Sequence, residues 1–511
     1  MTRDNIGITS FFLLTIMIAN FLKKGLDAMS FITGTFSIVL LINILLAFII
    51  VFIERRDIGA TWAWILILFF IPIGGFILYL IFGRHLKQKN FYNLSKEERE
   101  YLKIAVEAQV YHLQQHLSVF QDQKLQDKYE QLMLINLQSS TSIITTDNEV
   151  ELFTEGKTKF DELFHDIRQA KEEINIQYYI IQRDELGIKL RDELTAKAKE
   201  GVKVRLLYDD IGSRRLNRSF FKELIEHNGE VAAFFPSIFK VVNLRINNRN
   251  HRKLCIIDGD IGYIGGFNVG REYLGKKKKF GYWRDTHFRI RGGAVDHIHG
   301  RFILDWKQAT KQDSINLSEY AGRKERHSGS SPVQIVDSGP NSETEHLKNM
   351  YIKLIMTAKK SIKIQTPYFI PDTSFMDAIK IALLSNVDVH IMIPNKPDHP
   401  FVYWATLAHV GELLKYGANV WIYEKGFMHA KTIVIDEEVC SVGTTNIDSR
   451  SFRLNFEVNA TVYDEAVAQK LHNLFLDDMK DSTLLTPQLY KERSLWIKIK
   501  EAVSRLLSPI L

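Results

Sequence analysis

Two short stretches of the chain repeat one pattern of residues that can do chemistry. His251, Lys253, Asp258, Gly265 and Asn268 form the first set, and His429, Lys431, Asp436, Gly443 and Asn446 the second. In both, Lys follows His by 2 positions, Asp by 7, Gly by 14 and Asn by 17. Such agreement is not accidental. An imidazole can attack an electrophile or carry a proton near neutral pH, and a lysine two residues on along an extended chain projects from the same side. Imidazole beside ammonium suits phosphoryl chemistry.

The pattern also says what must hold these groups. Leu254–Ile257 and Thr432–Ile435 are apolar and read as strands, each ending at an Asp of opposite parity that precedes a turn at Gly259 or at Glu437 and Glu438. Asp258 and Asp436 are therefore members of the constellation that support it rather than touch substrate. The chain then returns through Gly265-Gly266-Phe267-Asn268 or Gly443-Thr444-Thr445-Asn446. Small residues let backbone approach a phosphate and an amide side chain donates to its oxygens, so Gly266, Thr444, Asn268 and Asn446 are the expected phosphate-binding positions. The first half has Gly266 where the second has a hydroxyl.

Around each motif a β/α order repeats. Residues 174–181, 187–198 and 202–208 read as strand, helix and strand, and residues 362–365, 375–384 and 387–393 give the same order ahead of the second motif. The fold class expected is α/β, with two pseudo-symmetric halves on a mixed or largely parallel sheet. Residues 91–145 read as a helical connector opened by a Ser95/Glu98 capping box, 146–325 as the first half, 326–484 as the second, and 485–511 as a C-terminal amphipathic helix. The Ser-, Gly- and Pro-rich stretch 326–343 reads as the linker between halves.

Composition narrows the classes. The 511 residues carry a formal charge of +6 and two cysteines, Cys255 and Cys440, which excludes a disulfide framework and a Cys-rich zinc site. The small positive excess, with no basic stripe interleaved with aromatics, gives no reason to expect nucleic acid. Hydrophobicity is concentrated before residue 84. Residues 31–53 and 58–83 are uncharged runs of 23 and 26 residues, each able to cross a hydrocarbon core of ~30 Å. They predict a helical hairpin with a charged tip at Glu54-Arg55-Arg56-Asp57, interrupted at Pro72, and residues 6–22 are a candidate further span. The Lys/Arg density after the second run favours a cytoplasmic body.

These residues make the chain resemble the phospholipase D superfamily, and within it the bacterial cardiolipin synthases. The doubled motif carries the likeness, together with Glu54-Arg55-Arg56, Thr61-Trp62-Ala63-Trp64, Phe70-Ile71-Pro72, Tyr208-Asp209-Asp210 and Thr366-Pro367-Tyr368-Phe369-Ile370-Pro371. The resemblance implies two phospholipase D-like β-α-β halves sharing one active site, preceded by an N-terminal transmembrane helical hairpin in a bacterial cell membrane. It implies condensation of two phosphatidylglycerols into cardiolipin and glycerol on an anionic bilayer, with neither cofactor nor metal. His251 would be the nucleophile and His429 the general acid/base, with Lys253, Lys431, Asn268 and Asn446 neutralising the phosphate. A carboxylate fixes the tautomer of a catalytic imidazole; Glu457 is the candidate for the second half and Asp285 its counterpart in the first. Hydrolytic phospholipase D activity, another phosphatidyl exchange, or a membrane-tethered nuclease are the alternatives.

Overall fold

The computed structural model describes residues 34–50 (except 35 and 49), 58–82, 91–237 (except 93), 247–312, 315, 317, 329–506 (except 397) and 508. They fall into two compact units, one before residue 86 and one from there on, and each is taken by itself. The candidate span 6–22 and the charged tip lie outside the described residues.

In the N-terminal unit, residues 36–48 are helical and the second apolar run forms two helices, Ile58–Phe70 and Pro72–Phe82. The break has a backbone cause. Proline has no N–H to give the carbonyl four residues back, so the Leu68 carbonyl is released, and the side chain of Asn43 donates to it at 3.0 Å. Ile71 N to Ile67 O at 3.0 Å and Gly75 N to Ile71 O at 2.5 Å carry the ladder past the proline. No helix among the described residues is long and apolar enough to cross a membrane, where the sequence led us to expect two spans: the second run is divided into 13 and 11 residues, and the first is described only within residues 34–50. Leu68, Tyr79 and Asn43 are buried, whereas Leu41, Ile44, Trp62, Phe69 and Phe70 are exposed.

The second unit opens with the Ser95/Glu98 capping box, Glu98 N to Ser95 Oγ at 3.1 Å and Ser95 N to Glu98 Oε2 at 2.7 Å. The connector is two helices, Lys96–Gln114 and Gln123–Ser140, the second capped by Asp122. One mixed sheet of fifteen strands follows among the described residues. Its centre is the antiparallel pair Ile144–Phe153 and Ser331–Ser338. Outward from the first of these lie His287–Arg291, Ile261–Gly265, Leu254–Ile257, Glu173–Tyr178, Lys203–Asp209 and Glu230–Phe234. Outward from the second lie Glu457–Val462, Val439–Gly443, Thr432–Ile435, Ser361–Gln365, Asp388–Pro394 and Asn419–Tyr423, with Ser482–Leu484 added at the edge. The two series match strand for strand. In each, the outer three are parallel and the inner ones antiparallel.

This order corrects the linker expected at 326–343, since Ser331–Ser338 is a central strand. Val333 and Val336 are fully buried in it, and Pro332 falls where the register against Thr145 and Asn148 shifts, a position that needs no N–H from it. Along Leu254–Ile257 the side chains alternate between two cores. Cys255 and Ile257 pack with the helices Gly156–Gln169 and Glu185–Lys199, and Leu254 and Ile256 pack with Ala294–Thr310. Both cysteines are buried.

Candidate active site

Each histidine enters just before a strand whose rear end is locked. Asp258 accepts from the backbone N–H groups of Lys171, Glu172 and Glu173 at 2.8, 2.7 and 2.9 Å. Asp436 accepts from Lys359, Lys360 and Ser361 at 2.8, 2.7 and 2.9 Å. Both carboxylates are spent on the loop entering the neighbouring strand, about 20 Å along the chain from the imidazoles. They hold register and lie outside the reacting cluster.

At the front end the halves exchange partners. His251 N donates to Phe456 O at 2.9 Å and Phe456 N to Arg249 O at 2.8 Å, while His429 N donates to Arg284 O at 2.7 Å. Gly426–Met428 also runs parallel to Tyr282–Arg284 as a short two-stranded pair. Each histidine segment is thereby zipped to the segment of the opposite half that carries a carboxylate. His251 Nδ1 lies 2.9 Å from Glu457 Oε1, and His429 Nδ1 lies 2.5 Å from Asp285 Oδ2. The carboxylates are crossed between halves, whereas the sequence had assigned Glu457 to the second half and Asp285 to the first. The crossing joins both motifs in one site.

Asp285 and Glu457 are wholly buried, as are Lys253 and Lys431, and each histidine is 9% exposed. With Nδ1–H given to a carboxylate, Nε2 is the ring atom left to meet a substrate. Lys253 Nζ folds back to its own histidine's carbonyl at 2.5 Å, and Lys431 Nζ does the same at 2.6 Å. Burial pulls Lys253 down to about 7 and Lys431 to about 8, against the pull of the nearby carboxylates. Burial, with the adjacent lysines, also holds both imidazoles below their usual range. Burial pushes Asp285 and Glu457 up, but the adjacent histidine, the lysine and the hydrogen bonds to each carboxylate together outweigh it, and both ionise more readily than usual. His251 feels the Lys431 charge and His429 feels that of Lys253. Burial thus draws the imidazoles and the lysines of the empty site toward their neutral forms, while the two carboxylates stay charged.

The small-residue turns are placed differently from expectation. Gly266 N is committed to Thr286 O at 2.8 Å, and a Cβ at Gly266 would stand 1.9 Å from Asp285 Oδ1. Thr444 N donates to Val458 O at 3.0 Å, and its hydroxyl donates to Glu457 Oε2 at 2.5 Å. Gly266 and Thr444 therefore serve the two carboxylates, one by making room and one by a hydrogen bond. Asn268 is also engaged, accepting from Ile180 N at 3.1 Å and donating to Tyr273 Oη at 2.9 Å. Asn446 is 5% exposed and its Oδ1 has no hydrogen-bond partner among the described residues.

Several participants had no local signal. Tyr179 packs on His251 at 4.8 Å between ring centres, and Trp283 on His429 at 5.1 Å. Arg252, between His251 and Lys253, binds Asp305 at 2.8 Å, Asp337 at 2.9 Å and the Glu457 carbonyl at 3.1 Å. Arg284 binds Asp478 at 2.9 Å and the Asp285 carbonyl at 2.5 Å. These arginines brace the two carboxylate segments. No group of three or more His, Cys, Asp or Glu side chains placed to hold a metal occurs among the described residues.

Comparison with known proteins gives the family. Residues 163–280 and 351–479 match the family described as cardiolipin synthase, PLD-like domain, and residues 41–84 match the phospholipase D-nuclease N-terminal family. The chain is 55% identical over 478 residues to the major cardiolipin synthase of Bacillus subtilis (strain 168), covering 93% of this chain and 98% of that protein. It is 52% identical to a cardiolipin synthase of Listeria innocua over 93% of this chain and 98% of that one. Among solved structures, the phosphatidylserine synthase of Haemophilus influenzae Rd KW20 shares the fold, with a TM-score of 0.55, 16% identity, and coverage of 76% of this chain and all of that one. With both motifs, the crossed site and relatives matched over nearly their whole length, the chain belongs to the cardiolipin synthases of the phospholipase D superfamily.

Proposed function

We propose that this enzyme transfers a phosphatidyl group from one phosphatidylglycerol to the glycerol hydroxyl of another, giving cardiolipin and free glycerol. The observation that carries it is the crossed pairing of His251 with Glu457 and His429 with Asp285, which supports a reading in which both Nε2 atoms work on one phosphodiester. In the first step His251, neutral, attacks phosphorus through Nε2, the bond from phosphorus to the glycerol oxygen breaks, and His429, which enters this step as the imidazolium, gives that oxygen the proton on its Nε2. In the second, His429 takes the proton of the incoming hydroxyl, whose oxygen attacks phosphorus as the phosphorus–nitrogen bond breaks. Lys253, Lys431 and the amide of Asn446, turned to present its NH2, neutralise the non-bridging oxygens. The reverse assignment of the histidines is favoured by one feature, Lys431 Nζ at 3.1 Å from His429 Nδ1, which disfavours an imidazolium there.

The N-terminal helices would seat in the bilayer, with the catalytic body on the cytoplasmic side. Their exposed apolar side chains support this, as does the Asn43 bond to Leu68, since a backbone break in lipid needs an internal partner. Purified chain in phosphatidylglycerol vesicles should release glycerol and cardiolipin in equal amounts. Formation of phosphatidic acid in place of cardiolipin would overturn the reading, and mapping the trapped phosphohistidine decides between His251 and His429.

A further inference from the structure

The C-terminal helix Leu495–Leu506 docks the wrong way round for an ordinary surface helix. Such a helix buries its apolar stripe and shows its charges. Here the buried residues are Glu501 and Ser504, while Leu495 is 74% exposed, Trp496 64% and Leu506 81%, with Ile499 and Val503 also exposed. At roughly 100° per residue the five apolar side chains share one arc, about 160° around the helix from the buried pair. Ile497 is half-buried on the inward face, and polar contacts hold the rest of the helix against the body. Glu501 pairs with Arg493 at 2.8 Å, Lys500 lies 5.0 Å over the Trp404 ring, and Arg505 reaches Glu412 at 2.8 Å. An apolar stripe is thus held outward by a helix whose polar side is satisfied.

The charges around that stripe indicate what covers it. Residues 487–506 contain five Lys or Arg against two Glu, a net charge of +3, and Glu501 is consumed by Arg493. Lys498 flanks the stripe on one side, beside Arg505 that is shared with Glu412, and Lys500 flanks it on the other, so the patch is apolar at its centre and basic at its rim. We infer that this helix is a bilayer-contact element that lays Leu495, Trp496, Ile499, Val503 and Leu506 into an anionic lipid surface. This contact does not depend on which phosphatidyl acceptor the site uses. The helix it docks on, Pro400–Leu413, carries Tyr403 and Thr406, which line a small cleft with Tyr368 and Asp398. Asp398 in turn acts electrostatically on Lys431, so the contact is tied through one helix to the catalytic lysine.

Cys255 and Cys440 are buried, so a single added cysteine can be labelled selectively in the full chain. Val503→Cys and Lys498→Cys, each carrying a nitroxide, are reconstituted in vesicles of phosphatidylglycerol and phosphatidylcholine at high lipid-to-protein ratio. The label at 503 should be relaxed by oxygen more than by a water-soluble nickel chelate, and the label at 498 the reverse. On pure phosphatidylcholine the contrast should shrink. A label at 503 that stays open to nickel on the anionic vesicles overturns the inference. So does dipolar broadening between labels at 503, which would mean that a second copy of the chain covers the stripe.

Discussion

Glu457 begins the strand next to the centre of the sheet in the second half, yet its carboxylate is 2.9 Å from Nδ1 of His251 in the first. Asp285 returns the relationship to His429. Neither half can therefore complete its own imidazole.

Because the carboxylates are crossed, their loss should act on different steps. With His251 as the proposed nucleophile, Glu457→Gln removes its partner and should lower the rate of phosphohistidine formation by about 10³–10⁴-fold, the scale for leaving a catalytic imidazole in the wrong tautomer. Asp285→Asn acts through the proton carrier. With a phosphatidyl ester of p-nitrophenol, whose leaving group needs no proton, the burst of nitrophenol should survive in Asp285→Asn and vanish in Glu457→Gln. A pre-steady-state burst measurement checks this. Equal bursts in both would place the roles wrongly.

Gly266 and Thr444 occupy matching positions but should not be exchangeable. Thr444→Val keeps shape and deletes the hydroxyl bonded to Glu457, so kcat should fall about 10–100-fold, as for other partners that orient a catalytic ligand. Gly266→Thr puts a Cβ onto Asp285 and should abolish turnover by moving that carboxylate. Rates of both variants, with circular dichroism to verify the fold, decide it. A Gly266→Thr enzyme as active as wild type would mean Asp285 is not needed where it stands.

The doubled motif was legible because its members lie within 17 residues of one another and chemistry fixes their types. The crossing was not, since His251 and Glu457 are 206 residues apart and His429 and Asp285 144. Local spacing carries nothing about which strand zips to which. The repeated β/α order gave the α/β class and its two halves. Composition misled at 331–338, where serines and Pro332 at the strand's ends outweighed Val333, Ile335 and Val336 in the reading. The apolar run after residue 58 was legible as hydrophobic, and Pro72 as a break. That Asn43 would meet the freed carbonyl depends on helix pairing, which no run of apolar residues encodes.

Asp258 separates support from chemistry. Each of its oxygens accepts backbone N–H groups at the entry to Glu173–Tyr178. Asp258→Ala leaves three donors without their acceptor and should cost about 2–4 kcal/mol of stability. The folded fraction should still form phosphohistidine at near the wild-type rate. Thermal unfolding and single-turnover trapping on the same sample test this. A stable variant that forms no intermediate would restore Asp258 to the reacting groups.

The buried lysines make substrate binding a protonation event. Near pH 8, Lys253 at about 7 is mostly neutral and Lys431 at about 8 is half charged. A phosphodiester adds the negative charge that burial withholds and raises both values. Binding should then take up about one proton at pH 8. A group whose pKa rises on binding makes affinity increase as pH falls from 9 to 7. Titration calorimetry with the water-soluble headgroup glycerophosphoglycerol, in buffers of different ionisation enthalpy, measures the uptake. Lys253→Met should remove most of it, because Lys253 is the more neutral of the two before the phosphate arrives. Proton release at pH 8, or affinity that grows with rising pH, would mean that the lysines are already charged in the empty site.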